Sequence, residues 1–282
     1  IYEMWENNPQ LLKKYNLHDC RLLFKLEQKL KVLSLIILEC QWTGTFPSKF
    51  YVSELLDNYI LRWSNPKGVH FRPTSFSKVP KGERDKEESD VAGGFVRDPV
   101  KGLHEYVHVF DFKSLYPTIM MTWNISQDTF YTEKPTDVPD IELIKTVNGY
   151  WTHREKVGMV PTVIAKLLEA RKEYKNRQIN AKYCSQEYEV AQGSQQVVKE
   201  LANSMYGTMA QVGNRYYSKE TAEAITLAGQ HMSKFAAEVF KREFDYETLY
   251  GDTDSTFVQM MDVPDKDRLK DIMKTIHENF AH

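Results

Sequence analysis

Two aspartates one residue apart, Asp252 and Asp254, stand within Tyr250-Gly251-Asp252-Thr253-Asp254-Ser255. The flanks, Glu247 to Tyr250 and Thr256 to Met260, are rich in β-branched and aromatic residues, so the hexapeptide reads as a β-hairpin tip with Gly-Asp turn chemistry. Carboxylates this close repel unless a divalent cation, a basic side chain or bulk water neutralises them. The pair alone fits a metal site or a solvated turn whose Asp side chains bond their own backbone. An EF-hand loop is disfavoured, because Thr256 and Phe257 stand where a third acid and the turn glycine belong. A further acid, Asp111, ends Tyr106-Val107-His108-Val109-Phe110-Asp111, which reads as a buried strand. Ser114 then opens a helix with Pro117 in its first turn, where proline is tolerated. If that strand lies beside the hairpin, Asp111 faces Asp252 and Asp254. Such a cluster can hold two Mg²⁺ about 4 Å apart, a geometry suited to phosphoryl transfer.

Cations that would complement such a site are spaced along two expected helices. From Pro161 onward, Arg171, Lys175, Gln178 and Lys182 fall at offsets of four, seven and eleven and make one stripe. A polar interruption from Ser185 to Gly193 reads as a turn, and a second helix from about Ser194 to Met209 carries Lys199, Asn203 and Tyr206 on one face. Helices joined in this way form an antiparallel hairpin. A solvated basic face is the plainer reading of each stripe. If the two converge, Arg171, Lys175 and Lys199 offer three cations to one polyanion, and arginine adds bidentate phosphate bonds.

The remaining elements frame these groups. Residues 1–39 read as helical, with Leu22, Leu23, Leu26, Leu30 and Leu33 at helical spacing. Tyr15 and Asp19 lie four apart in this segment, where a helix-surface acid is the ordinary reading. Residues 40–75 show no nameable chemistry. Ser75 to Asp90 is dense in charge and reads as a solvated loop or mobile linker. It leads to Gly93-Gly94, which marks a tight turn or a close backbone approach to a ligand. Residues 131–156 read as a polar connection. Ser218 to Phe244 reads as a long helix with Ala222, Ile225, Gly229, Met232, Ala236 and Val239 facing a core, and another helix begins after Met260.

Composition bounds the answer loosely. The 282 residues carry 37 Lys and Arg against 39 Asp and Glu, enough length for more than one cored unit and a nearly neutral sum. Near-neutrality permits a basic groove beside an acidic site. Cys20, Cys40 and Cys184 are too few and too scattered for a disulfide framework or a zinc site, and favour a reducing compartment. The longest apolar run, Val32 to Leu38, is too short to span a membrane.

Three segments carry a resemblance. Asp111-Phe112-Lys113-Ser114-Leu115-Tyr116-Pro117-Thr118, Lys199-Glu200-Leu201-Ala202-Asn203-Ser204-Met205-Tyr206-Gly207 and Tyr250-Gly251-Asp252-Thr253-Asp254-Ser255 resemble motifs A, B and C of family B DNA polymerases, in order and in spacing. Leu167 to Lys175 is similar to the first fingers helix of that family, and Asn124-Ile125-Ser126 follows motif A as it does there. Tyr15 and Asp19 match the third exonuclease motif. Thr118 stands where the family usually has Ser, and Val91 where an aromatic commonly precedes the paired glycines.

The resemblance implies an α+β fold: a palm with an antiparallel sheet and packed helices, interrupted by an α-helical fingers hairpin. It implies a fragment of a longer polymerase, with residues 1–39 the end of a 3′–5′ exonuclease domain and 40–105 a linker and N-terminal part of the palm region. Residues 106–160 and 210–282 would be palm, 161–209 fingers, and the thumb would be missing. The implied activity is template-directed addition of deoxynucleotides to a primer 3′-hydroxyl with two Mg²⁺, for which Mn²⁺ could substitute. Asp111 and Asp254 would be direct metal ligands, Asp252 a weaker member, and the Phe112 carbonyl would complete the site. Ser114, Leu115, Tyr116, Arg171, Lys175, Lys199 and Asn203 would bind the nucleotide, with Lys199 protonating the leaving pyrophosphate and Tyr116 acting as the steric gate. Tyr206, Gly207, Thr253, Gly93 and Gly94 would meet DNA, and Tyr15 and Asp19 would be an exonuclease remnant. The implied partners are primer-template DNA, dNTPs and a sliding clamp or other replication factors, with no membrane, in an intracellular location. Two alternatives are a non-catalytic nucleic-acid-binding subunit of polymerase ancestry and a protein-primed polymerase. The second should carry a long insertion between motifs A and B, and residues 119–160 look too ordinary for one.

Overall fold

The computed structural model describes residues 2–48, 51–64, 71, 82, 91–261 and 263–280. Apart from Gly82, the charged stretch from Ser75 to Asp90 lies outside the described residues. The chain divides into two compact units, Ile1–Gly68 with Glu169–Leu201, and Val69–Leu168 with Ala202–His282.

The first unit is helical. Helices α1 (Tyr2–Asn7), α2 (Pro9–Leu30), α3 (Val32–Thr43) and α4 (Val52–Ser64) follow one another. The Asn8 side chain accepts the Leu11 N–H at 3.0 Å and Pro9 takes the first helical position, so α2 starts with both common start signals. Lys31, left-handed at φ 53°, ends α2 and begins α3. The expected helix over the leucine stripe is present, yet Leu22, Leu23, Leu26, Leu30 and Leu33 are all exposed. Burial comes instead from α4, through Leu55, Leu56 and Ile60, and from Trp42 edge-on to Tyr174 at 5.7 Å.

Two long helices connect the units: α6 (Met159–Asn180) and α7 (Gln186–Ala210). The reading of Ser185 to Gly193 as a turn is corrected, because the Ser185 hydroxyl accepts the Tyr188 N–H at 3.2 Å and Glu187 and Glu189 sit in the first turn of α7. A capping hydroxyl and acids at the positive end of a helix stabilise helix, not turn. The connection is residues 181–185, with Cys184 left-handed at φ 60°. Lys182 therefore lies beyond α6 and leaves the expected basic stripe. Gly193 inside α7 lets α3 approach, since a Cβ there would stand 2.6 Å from Leu38 Cδ1.

The second unit is built on an antiparallel sheet in the order β1-β6-β7-β2. Its strands are β1 (Val96–Arg97), β2 (Val107–Asp111), β6 (Glu247–Asp252) and β7 (Ser255–Gln259). One face is covered by α8 (Lys219–Phe244) and α9 (Lys266–Phe280), and α5 (Leu115–Thr122) packs on α8. Val239, Phe240, Tyr246, Val258, Met260, Ile272 and Ile276 form its core, with Phe110 packed against it. The expectation of a buried β2 is corrected: Val107, Val109 and Asp111 alternate with half-buried His108 and Phe110, and Val109 is 55% exposed. Period-2 alternation sends every second side chain to the open face. The polar connection expected over 131–156 is likewise corrected. It contains β3 (Phe130–Tyr131), β4 (Leu143–Lys145) and β5 (Trp151–His153), paired as a small antiparallel sheet in the order β3-β5-β4. Strands of two or three residues are too short to leave a period in the sequence.

An α+β fold with an antiparallel sheet and packed helices is thus present. Among the described residues no helix is long and apolar enough to cross a membrane, and Cys20, Cys40 and Cys184 are free thiols.

Candidate active site

The site begins at the β6–β7 hairpin. Asp252 pairs with Ser255, leaving Thr253 and Asp254 as the turn. The expected Gly-Asp turn chemistry is corrected here: Gly251 stays in β6, and the left-handed position at φ 55° falls on Thr253. A β-branched residue with positive φ is strained. The Thr253 N–H donates to the Phe95 carbonyl at 2.9 Å and its hydroxyl donates to Asp252 Oδ1 at 3.1 Å, which hold the conformation.

Pairing brings the third acid alongside. Ser255 is opposite Asp252 on one side and opposite Asp111 on the other. The three therefore form a row on the open face, with Asp111 and Asp252 about 9.5 Å apart between Cα atoms, two strand spacings. Asp254 lies in the turn, and its carbonyl accepts the Phe112 N–H at 2.8 Å, tying the turn to the end of β2. Burial raises the Asp254 carboxyl above the usual carboxylate range, the Asp111 charge raises it further, and Asp252 adds a smaller increment against its own backbone hydrogen bond. Among the described residues, no three acid, His or Cys side chains are gathered closely enough to hold a metal ion as they stand. The donor set is nonetheless three hard oxygen ligands, and the Asp111 and Asp252 charges that add to the effect of burial at Asp254 are what a divalent cation would neutralise.

Beside this row, Ser114 precedes α5 in a left-handed conformation at φ 55° and makes no side-chain cap. The first N–H groups of any helix lack intrahelical partners. Tyr116, in the first turn of α5, stacks obliquely on Tyr206 of α7, with ring centroids 4.8 Å apart. A Cβ on Gly229 of α8 would stand 3.0 Å from the Tyr116 ring, and one on Gly94 would stand 2.6 Å from Thr253 Oγ1 and 3.2 Å from the Tyr116 hydroxyl. The close approach at Gly94 is therefore to the hairpin turn and to Tyr116. Gly93 lies differently, with open space around it and its carbonyl accepting from Gln230 Nε2 at 2.7 Å. Gly93, Tyr206 and Gly207 line an open cleft of about 320 Å³ with Val91, Ala210 and Gln211.

The cations belong to the first unit. Arg171 and Lys175 share α6, and Lys199 lies on α7. Among the described residues none of the three forms an ion pair, and Arg171 Nε is buried without a hydrogen-bond partner. Asn203 is exposed one turn beyond Lys199. Tyr15 and Asp19 lie on α2, Tyr15 exposed and Asp19 half-buried.

A model of DNA polymerase family B matches residues 25–282. The chain belongs to that family. All three quoted motifs fall inside the matched region, whereas Tyr15 and Asp19 precede it. The chain is 29% identical over 264 residues to the DNA polymerase of Pyrococcus glycovorans, covering 91% of this chain and 32% of the relative. It is 36% identical over 182 residues to the DNA polymerase of Archaeoglobus fulgidus, covering 64% of this chain and 22% of the relative. It is also similar to the structure of the family B DNA polymerase from the hyperthermophilic archaeon Pyrobaculum calidifontis, at a TM-score of 0.78 and 27% identity, covering 100% of this chain and 35% of that one. The chain spans about a third of the length of the Pyrococcus glycovorans and Pyrobaculum calidifontis relatives.

Sequence reasoning missed several residues around the site. Gly229 and Gln230 were unremarkable within a helix, and only the packing of α5 against α8 gives them a role. Glu39 was also missed: it is 3% exposed on α3 and hydrogen-bonded to Glu200, the residue after Lys199. A lone glutamate in an otherwise apolar stretch, Leu35 to Cys40, was the available signal.

Proposed function

We propose that the polypeptide carrying this chain is a DNA-directed DNA polymerase that adds deoxynucleotides from dNTPs to a primer 3′-hydroxyl. The observation that carries this reading is the row of Asp111, Ser255 and Asp252 with Asp254 at its end, on the open face of an antiparallel sheet. In this reading residues 106–160 and 210–282 are palm, 161–209 are fingers, and 1–39 belong to an exonuclease domain.

Asp111 and Asp254, with Asp252 and the Phe112 carbonyl, would hold two Mg²⁺ or Mn²⁺. Such ions, when bound, acidify a hydroxyl nucleophile and neutralise a triphosphate. The chain's own groups do the rest. Arg171, Lys175 and Lys199 take the triphosphate charge, and Lys199 delivers a proton to the leaving pyrophosphate. The N–H groups of Ser114 and Leu115 receive phosphate oxygens at the start of α5. Tyr116 excludes a 2′-hydroxyl, while Asn203 and Tyr206 border the nascent base pair and Gly207, Gly93, Gly94 and Thr253 meet DNA. A sliding clamp or other replication factors are the further partners this reading admits, in an intracellular setting.

Primer extension by the full-length polypeptide on a primed DNA template, with dNTPs and Mg²⁺, tests it. Extension that requires template, primer and divalent cation together supports the reading; absence of extension under all divalent cations refutes it.

A further inference from the structure

The segment that follows α5 meets the root of α6 through side chains. Gly158 precedes α6 and has no side chain with which to cap it. Its carbonyl accepts the Thr162 N–H at 3.1 Å, so it occupies the capping position. The amides that this start leaves without intrahelical partners are met from elsewhere. Asn124 Oδ1 accepts the Gly158 N–H at 2.8 Å, Asp128 Oδ1 accepts the Met159 N–H at 3.1 Å, and Ser126 Oγ accepts the Val160 N–H at 3.1 Å. The next residue, Pro161, has no N–H to satisfy. Three side chains at alternate positions thus receive three successive amides.

The triplet is itself held. Asn124 is left-handed at φ 49°, and its Nδ2 donates to the carbonyls of His153 and Lys156. The Ser126 hydroxyl donates to Asp128 Oδ1, and the Thr129 hydroxyl donates to the Asn124 carbonyl at 2.7 Å. Ser126 and Thr129 are fully buried. A Cβ on Gly158 would stand 2.5 Å from Ser126 Cβ, so the missing side chain at the cap is what admits the triplet.

We propose that Asn124, Ser126 and Asp128 are positioning residues for nucleotide addition, which lock the root of α6 and thereby place Arg171 and Lys175 farther along the same helix. This rests on the polymerase reading above. A 22-residue helix is a stiff lever. Arg171 lies about 18 Å from Met159 along the axis, so a root tilt of about 10° moves it by about 3 Å. Misplacement of about 1 Å near reacting groups costs on the order of 100-fold in rate.

Two measurements on the full-length polypeptide test the anchor. In single-nucleotide incorporation, Asp128→Ala should lower the maximal rate at least tenfold and weaken dNTP binding severalfold, with primer-template affinity within twofold. Asp128→Asn keeps the acceptor oxygen and should return the rate to within threefold of the parent. A folded Asp128→Ala protein within twofold of the parent, or an Asn variant as impaired as the Ala variant, overturns the proposal. Independently of activity, the distance distribution between spin labels at exposed Ala165 on α6 and exposed Glu238, both in the second unit, should broaden in Asp128→Ala and in Ser126→Ala relative to the parent and match the parent in Asp128→Asn. Unchanged distributions in both alanine variants also overturn it. A parent that extends no primer defeats the polymerase reading, while the spin-label comparison still decides whether the triplet locks α6.

Discussion

The Tyr116 and Tyr206 rings stand 4.8 Å apart at 47°, and glycines leave room for Tyr116 on two further sides: Gly229 beside its ring and Gly94 beside its hydroxyl. A ring confined in this way cannot swing aside. Burial, with smaller contributions from Tyr206 and Asp254, pushes its phenol up to about 12, so it stays neutral through the working range of pH. Tyr116→Ala in the full-length polypeptide should therefore raise ribonucleotide incorporation much more than it changes deoxynucleotide incorporation. Steric overlap exceeds the ~1–3 kcal/mol that one methylene-sized difference gives, so the ratio of the two kcat/KM values should shift at least 100-fold. The discrimination of the parent should stay constant from pH 7 to about pH 10, because no ionisation of Tyr116 falls in that window. An unchanged ratio in an active variant returns Tyr116 to a packing role.

Removing Asp111 or Asp254 should abolish extension. Each deletion leaves two remaining acids on the open face with one fewer ligand to share a cation. Losses of roughly 10⁴-fold accompany removal of single members of other catalytic units. Single-turnover extension by Asp111→Ala or Asp254→Ala within tenfold of the parent would remove both from the metal site.

Lys199→Ala separates the triphosphate from the duplex. Its charge is assigned to the nucleotide, so the variant should bind dNTP more weakly and react more slowly while holding primer-template DNA with nearly unchanged affinity and salt dependence. A reduced salt slope with normal nucleotide binding would instead make Lys199 a contact to the DNA backbone.

The Glu39–Glu200 pair predicts a pH dependence of stability. Burial first, then the hydrogen bond to Glu200 and its charge, push the Glu39 carboxyl from 4.5 to about 7. The folded state then holds a proton that the unfolded state has already released, so unfolding releases a proton between these values. Stability from this group is fully present below about pH 4.5 and is lost as pH rises toward 7, with a slope of at most about 1.4 kcal/mol per pH unit. Glu39→Gln cannot titrate and should flatten stability in that window, as read by denaturant unfolding across pH 5 to 8. A variant with the slope of the parent would show that the pair does not share a proton.

How much of this was legible depends on where the information sits. The β6–β7 hairpin was readable because its strands carry β-branched and aromatic flanks, but its tip was not. Gly251 invited a turn that the register instead assigns to Thr253. The start of α7 was lost because Ser185, Glu187 and Glu189 are polar residues that serve a helix N-terminus as readily as a loop. Asp111 was placed at a strand end correctly, whereas the burial of β2 depends on which face α8 and α9 cover, a tertiary fact. The role of Glu39 exists only when α3 lies against α7. The basic stripe was visible in spacing alone up to Lys175, and failed at Lys182 because nothing in the residues announces the end of α6 at Asn180.

The left-handed Thr253 carries an evolutionary consequence. Glycine or asparagine would relax that turn, since a non-glycine residue in this conformation costs about 1–2 kcal/mol. A selection for heat resistance alone would therefore drift toward Gly or Asn at position 253. Threonine contributes there what neither replacement offers together: a hydroxyl on Asp252 Oδ1 and a branched side chain seated against Gly94. Stability and fidelity of the acid row pull this one codon in opposite directions, and a stability-selected library of the full-length polypeptide should record the tension as gains in melting temperature coupled to losses in extension rate.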